Sequence, residues 1–164
     1  MKSIILFRHG QAEIGSIYRD HDRPLTYFGV HEAKKMGHYI YQKHESPDLV
    51  ITSTAIRAKT TAEIAMASGN WNCPLYSDPD IYSCALPFLL SLIKKQDNKY
   101  SSICLVGHEP NFSSFIASAT CSKNMDFPMA SMGKIGFNVI KWNDVIMGHG
   151  NLDWFLIPEL LFSL

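Results

Sequence analysis

The sequence predicts an α/β fold built on a mostly parallel sheet. Short apolar runs of strand length alternate with segments in which apolar residues recur every three or four positions, a pattern typical of strands joined by crossover helices. Three of the runs are almost entirely apolar, as expected of strands that are covered on both faces. They are residues 3–7, 49–52 and 103–106.

The elements between these strands follow in order. The first helix begins after Thr26, whose hydroxyl can cap it, and runs to about Lys43. The second follows a cap at Ser53 or Thr54 and ends at Gly69.

The remaining elements complete the predicted sheet. A third helix is predicted over residues 86–95, and a fourth begins at Pro110, a residue well suited to the first helical position. Residues 135–140 and 152–157 predict a closing hairpin. The chain has 164 residues with no repeat or linker, so one domain spanning residues 1–164 is expected.

Composition excludes several classes of function. Lys plus Arg and Asp plus Glu both number 15, so no whole-chain charge favours nucleic acid or an anionic membrane, and any anion site must be local. No apolar run has the length of a signal-peptide core or a membrane span. The cysteines lack C-x-x-C spacing, which predicts reduced thiols and a cytoplasmic protein. They are Cys73, Cys84, Cys104 and Cys121.

Polar and charged residues follow each of the three apolar strands. Arg8, His9 and Gly10 end the first strand, residues 53–57 follow the second, and residues 107–110 follow the third. Ligands of open α/β sheets bind beyond the carboxyl ends of the strands. The sequence therefore predicts one pocket that holds two arginines, two histidines and two helix N-termini, and phosphate is the ligand that this combination suits.

Each residue type has a predicted role. The guanidinium forks of Arg8 and Arg57 match the oxygens of a phosphoryl group in transfer. His9 can attack phosphorus through one ring nitrogen if a carbonyl or carboxylate holds the other. Gly10 lets the backbone turn close to the phosphate. His108 is expected to donate a hydrogen bond to a phosphate oxygen.

The stretches "FRHGQAE", "STAIRAKTTA" and "LVGHEPN" resemble the histidine phosphatase (phosphoglycerate mutase-like) superfamily, over roughly residues 3–120. "DRPLTYFG" and the short chain are similar to its SixA-type phosphohistidine phosphatase branch. The resemblance implies a three-layer α/β/α sandwich with about six strands, one of them antiparallel. It also implies that His9 is transiently phosphorylated, with Arg8, Arg57 and His108 completing the pocket.

Two roles stay open. Arg23 either contacts the phosphate or forms a salt bridge that anchors its loop. The general acid is also open: larger members of the superfamily place a glutamate after the second arginine motif, but no glutamate occurs over residues 71–108. Asp80 and Glu109 are the candidates. An alkoxide leaving group needs such a proton donor, whereas the imidazole of phosphohistidine needs much less.

The sequence therefore predicts a metal-independent phosphatase that releases phosphate from phosphohistidine on a partner signalling protein, such as a histidine phosphotransfer domain. The alternatives are a phosphomonoesterase for a sugar phosphate or nucleotide, and a non-catalytic phosphohistidine-binding module. No cluster has metal-ligand spacing, so neither a metal nor a cofactor is expected. The other histidines lack partner clusters and are predicted on the surface. They are His21, His31, His38, His44 and His149.

Overall fold

The computed structural model describes residues 1–15, 17–83 and 85–161. Within these ranges six strands form one sheet: β1 (Lys2–Arg8), β2 (Leu49–Ser53), β3 (Leu75–Asp78), β4 (Ser102–Gly107), β5 (Met132–Phe137) and β6 (Asn151–Leu156). Four α-helices accompany them: α1 (Tyr27–Gln42), α2 (Ile56–Ser68), α3 (Leu86–Lys94) and α4 (Asn111–Thr120).

The sheet confirms the predicted fold class. Its strand order is β3-β2-β4-β1-β5-β6. The pairs β3–β2, β2–β4 and β4–β1 are parallel, whereas β5 is antiparallel to both β1 and β6. Among the described strands, β5 alone therefore runs against the others, as expected.

The helices cover both faces of the sheet. Ile4 and Leu6 of β1 belong to a buried cluster with residues of α3 and α4. Ile5 and Phe7 point to the other face and belong to a cluster with residues of α1 and α2. Successive side chains of a strand point to opposite faces, so β1 contributes to both halves of a three-layer core.

The structure corrects several element boundaries. The Thr26 hydroxyl caps α1 as predicted and accepts from Gly29 N at 3.0 Å. The N-cap of α2 is Ala55, not Ser53 or Thr54. Pro110 lies one position before the first residue of α4.

The edge strand β3 was not predicted from its own sequence. It has only four residues, and its pattern of partly exposed side chains lacks the apolar run by which the central strands are recognised. The predicted hairpin exists as β5 and β6, but β5 begins three residues before position 135.

Two further expectations concern the cysteines and membrane-spanning segments. Cys73, Cys104 and Cys121 are free thiols, and Cys84 lies outside the described residues. In the described ranges, no helix has the length and apolar character needed to cross a membrane.

Candidate active site

A pocket of about 370 Å³ lies at the carboxyl ends of β1 and β4. These two strands are parallel neighbours, and their register pairs Arg8 with Gly107, so the residues that follow them are brought side by side. The structure thus brings together the four residues predicted from three separate motifs. The pocket is lined by Arg8, His9, Gln11, Ala12, Ile14, Arg23, Arg57, His108, Glu109 and Met129.

His9 is held as a neutral imidazole. Its Nδ1 lies 2.8 Å from the carbonyl oxygen of Gly10, and a carbonyl only accepts, so Nδ1 carries the proton and Nε2 keeps its lone pair. The His9 backbone N–H donates to Gly107 O at 3.1 Å. Burial, together with the charges of Arg57 and Arg8, lowers the pKa of His9 to about 4. At neutral pH the ring is therefore an available nucleophile.

His108 lies beside His9, with ring centroids 5.2 Å apart. Its Nε2 is 2.8 Å from the hydroxyl of Ser53, and that hydroxyl oxygen already accepts from Ala55 N. When the Ser53 hydroxyl donates to Nε2, the ring proton of His108 resides on Nδ1. Burial and the neighbouring His9 and Arg57 lower the pKa of His108 to about 3.

The two motif arginines are anchored by main-chain oxygens. Arg8 Nη1 donates to Phe127 O at 2.8 Å, and Arg57 Nη1 donates to Asp20 O at 2.7 Å. Arg8 Nε, Arg57 Nε and His108 Nδ1 are buried and have no hydrogen-bond partner among the described residues. An unpaired buried polar group costs about 1–3 kcal/mol. The side chains that carry these nitrogens all line one pocket, which thereby gains two guanidinium groups and an imidazole as donors for an anion.

Gly10 contributes to the scaffold of the pocket. Its N–H donates to the Thr61 hydroxyl at 3.0 Å, and that hydroxyl donates to Arg57 O at 2.7 Å. A Cβ at position 10 would lie 2.9 Å from Gly29 O in the first turn of α1. The glycine is thus explained by a close approach to α1, and its amide is directed to Thr61.

Asp20 belongs to the site but was not identified from the sequence. Its carboxylate pairs with Arg57 Nη2 at 3.1 Å and with Arg23 Nε and Nη2 at 3.0 Å each. Tyr82 donates its hydroxyl proton to the same carboxylate. This hydrogen bond and the two arginine charges lower the pKa of Asp20 to about 2. Alternating charges over residues 19–23 were the available signal, but they occur in many solvated loops.

The surroundings of Asp20 change two expectations. Arg23 lines the pocket, but Asp20 holds two of its nitrogens, and Nη1 donates to Glu13 O at 3.1 Å. His21 keeps the surface position that was expected, with its side chain 40% exposed, but the expectation that it has no partners was wrong. His21 is half-buried, its Nε2 lies 2.9 Å from the Thr54 hydroxyl, and its ring meets Tyr82 edge-on. The other four histidines are exposed, as predicted: His31, His38, His44 and His149.

Comparison with known proteins identifies the family of this chain. The family model described as histidine phosphatase superfamily (branch 1) matches residues 4–86, half of the chain. The chain belongs to this superfamily. The matched segment contains Arg8, His9 and Arg57.

Individual histidine phosphatases and relatives extend the likeness over nearly the whole chain. An uncharacterized Mycobacterium tuberculosis H37Rv protein is 26% identical over 161 residues, covering 93% of this chain and 99% of that protein. The structure of the protein histidine phosphatase SixA complexed with tungstate gives a TM-score of 0.82 at 19% identity, covering 95% and 97%. A mycobacterial glucosyl-3-phosphoglycerate phosphatase complexed with VO3 gives 0.71 at 13%, covering 94% and 98%. These two structures share the fold, and membership of the superfamily supports phosphatase activity.

The two candidate proton donors of this histidine phosphatase lie in different places. Glu109 lines the pocket, and its Oε1 accepts from Ser113 N at 2.7 Å in the first turn of α4. Asp80 is exposed and is not among the pocket residues, and its N–H donates to Asp78 at 2.9 Å. Among the described residues, no group of three or more His, Cys, Asp or Glu side chains has a metal-binding arrangement.

Proposed function

We propose that the protein is a metal-independent phosphatase of the SixA type, formed by one domain over residues 1–164 and acting in the cytoplasm on phosphohistidine of a partner protein. The observation that supports this most is the combination of a neutral His9 with the side chains of Arg8, Arg57 and His108 on the lining of one pocket. The nucleophile and the donors needed to receive a phosphoryl group lie within the same cavity.

The proposed reaction has two steps. His9 Nε2 attacks phosphorus, and a nitrogen–phosphorus bond forms as the bond from phosphorus to the leaving nitrogen breaks; the leaving imidazole takes a proton from solvent. Water then attacks the phosphorus bound to His9 and gives a proton back to solvent. The bond to His9 Nε2 breaks, its electron pair returns to that nitrogen, and inorganic phosphate leaves. Arg8 and Arg57 stabilise the charge on the equatorial oxygens in both steps, and the His108 Nδ1 proton supplies a further hydrogen bond.

The placement of the carboxyl groups supports phosphohistidine as the substrate. Of the two candidate donors, Asp80 is outside the pocket and Glu109 accepts a main-chain hydrogen bond. Imidazole is a good leaving group once protonated, and it places less demand on a donor from the enzyme than an alkoxide does. Exposed Ile14 at the mouth and Ile17 in the same loop, 90% and 83% exposed, offer apolar surface to a protein substrate.

One observation favours a second candidate function. Glu109 lines the pocket, and a carboxyl group there would protonate the leaving oxygen of a phosphomonoester if it moved away from Ser113 N. The protein would then hydrolyse a sugar phosphate or a nucleotide. A non-catalytic phosphohistidine-binding role is disfavoured by the free lone pair on His9 Nε2.

The test compares three substrates: a phosphotransfer domain phosphorylated on histidine, an aryl phosphate and an alkyl phosphate. We expect turnover to fall steeply from the first two to the third, to persist in excess EDTA, and to disappear in His9→Gln. Brief reaction with labelled substrate should leave base-stable, acid-labile label on the wild type and none on His9→Gln.

Label that persists in His9→Gln would contradict the assignment of His9 as the nucleophile. Fast hydrolysis of the alkyl phosphate that is lost in Glu109→Gln favours the small-molecule phosphatase. Comparable hydrolysis in Asp80→Asn would show that the exposed carboxylate takes no part.

A further inference from the structure

We propose that Asp20 is a positioning residue for phosphoryl transfer, which orients Arg57 and holds Arg23 at the mouth of the pocket. This inference rests on the proposed function, because it assigns a role to Asp20 in the same site. Three contacts carry it, and those to Arg57 and Tyr82 join distant parts of the chain.

The first contact fixes the Arg57 guanidinium from its outer end. Arg57 Nη1 donates to the main-chain oxygen of Asp20 at 2.7 Å, and Nη2 donates to the Asp20 carboxylate at 3.1 Å. Two bonds to one residue define the plane of the guanidinium group. Arg57 also lines the pocket, so these two bonds set how its guanidinium group is presented to a phosphoryl oxygen there.

The second contact gathers another cation at the pocket. Arg23 donates from Nε and Nη2 to the other carboxylate oxygen of Asp20, at 3.0 Å each. Arg8, Arg23 and Arg57 all line the same pocket, and like charges repel there. The Asp20 carboxylate offsets this repulsion and so keeps Arg23 and Arg57 close together.

The third contact joins Asp20 to the histidine side of the site. Tyr82 donates its hydroxyl proton to the Asp20 carboxylate, and its ring meets His108 edge-on with centroids 5.6 Å apart. The Arg57 guanidinium lies 5.8 Å from the centre of the same ring. Asp20 therefore restrains Tyr82, which in turn packs against two of the residues that surround the phosphoryl group.

These contacts exclude two other roles for Asp20. Its carboxylate is fully ionised at neutral pH, so it has no proton to give to a leaving group. It is also no core residue: its side chain is 56% exposed, whereas that of Arg57 is 7% exposed. A substitution at position 20 should therefore leave the fold intact while releasing a buried arginine from its outer anchor.

The experiment compares Asp20→Asn with Asp22→Asn. Asp22 lies in the same short 3-10 helix, Asp20–Asp22, with a similarly exposed side chain at 52%, and it contacts His21 at 3.6 Å. Asn keeps the size of the side chain and the main-chain bond to Arg57 but removes the charge. We expect Asp20→Asn to lower kcat about tenfold with a small change in KM, and Asp22→Asn to leave both near wild type.

A double substitution separates positioning from a general structural effect. If Asp20 acts through Arg57, Asp20→Asn should have little further effect on kcat in an Arg57→Ala background. An equal loss in both backgrounds would overturn the proposal. So would equal kinetics of Asp20→Asn and Asp22→Asn.

Titration with tungstate tests the inference without turnover, and so separates its failure from failure of the proposed function. Asp20 is half-exposed and its charge is screened, so loss of Arg57 orientation should dominate and weaken tungstate binding several-fold in Asp20→Asn. Unchanged binding would overturn the positioning role. Tighter binding would overturn it too, because Asp20 would then compete with the anion for the arginines.

Discussion

The floor and the rim of the pocket are held in different ways. We define the floor as Arg8, His9, Arg57 and His108, and the rim as Asp20, His21, Arg23 and Tyr82. His9 is fixed by the carbonyls of Gly10 and Gly107, and Arg8 by that of Phe127. The rim is fixed mainly by contacts between its own side chains. Main-chain oxygens therefore help to hold three of the four floor residues, with His108 bonded to the Ser53 hydroxyl, whereas side chains set the geometry of the rim.

Arg57 connects the two regions. Its side chain is buried with the floor, but its anchor is the rim residue Asp20. Replacing a floor residue removes a group that we propose contacts the phosphoryl oxygens, so the transfer step should suffer most. Replacing a rim residue changes how such a group is held or which substrate reaches it, so the effects should be smaller and more selective.

The largest effect is expected for Arg57→Ala. Loss of a charged donor aimed at developing charge typically costs about 2.7–4 kcal/mol, or about 10²–10³-fold in kcat/KM. Arg57→Lys keeps the charge but loses the fork, and it should recover only part of the loss. The measurement is kcat/KM on an aryl phosphate, together with tungstate affinity. Wild-type values in Arg57→Ala would show that the phosphoryl group does not reach this side chain.

The second effect is on the pH dependence of stability. The pKa of His9 is 6.5 in the reference state and about 4 in the folded protein. Folding thus lowers the pKa of a base, so the unfolded chain binds more protons between these values. Above about pH 6.5, His9 is neutral in both states and does not reduce the free energy of unfolding. As the pH falls from 6.5 through 4, only the unfolded chain takes up the proton, so about 3 kcal/mol of the free energy of unfolding is lost.

Denaturant unfolding of wild type and His9→Gln at several pH values measures this share of the free energy of unfolding. The pKa of His108 is lowered in the same direction, chiefly by burial, and this largest cause persists in His9→Gln. The wild-type free energy should therefore fall more steeply between pH 7 and 4 than that of His9→Gln. Parallel curves would mean that His9 is not held in an environment that disfavours its charged form.

The same comparison explains how far the sequence could predict the molecule. The floor was predictable because each of its residues follows an apolar strand or opens the helix after one, and parallel strands bring such positions together. The rim was not, because the Asp20 contacts span 37 residues to Arg57 and 62 to Tyr82 with no periodic pattern between them. The contacts of His21 with Thr54 and Tyr82 were not predicted for the same reason.

The fold shows a similar division. The central strands β1, β2 and β4 have buried apolar sequences that identify them without tertiary context. Strand β3, at the edge, depends on its pairing with β2 and was missed. That one strand is antiparallel was implied by the family resemblance, and the structure identifies it as β5, since periodicity alone does not distinguish parallel from antiparallel pairing.

A smaller effect is expected at the support behind the floor. The Thr61 hydroxyl is fully buried and joins Gly10 N to Arg57 O. Thr61→Val keeps the shape but leaves the Gly10 N–H without an acceptor, which should cost about 1–2 kcal/mol in the free energy of unfolding. Thr60→Val, at the half-buried neighbouring position in α2, is the control. Equal stability of the two variants would show that this bridge does not support the floor.

The smallest effect is expected at Ile17, and it bears most directly on what the rim is for. The Ile17 side chain is 83% exposed in the loop between Ile14 and Asp20, so Ile17→Ser should change stability by less than about 0.5 kcal/mol. Ile140→Ser is the matched control, because Ile140 is 82% exposed. It follows β5, whose last residue pairs with Lys2 at the start of β1, so it lies towards the end of the sheet opposite the pocket. If a protein substrate rests on the rim, Ile17→Ser should raise KM for the phosphorylated phosphotransfer domain several-fold and leave KM for an aryl phosphate unchanged. A small substrate confined to the floor would not contact this side chain. Identical KM values in both variants would therefore show that the rim takes no part in docking the protein used as substrate, whereas a parallel rise with the aryl phosphate would mean that Ile17 acts on the pocket itself.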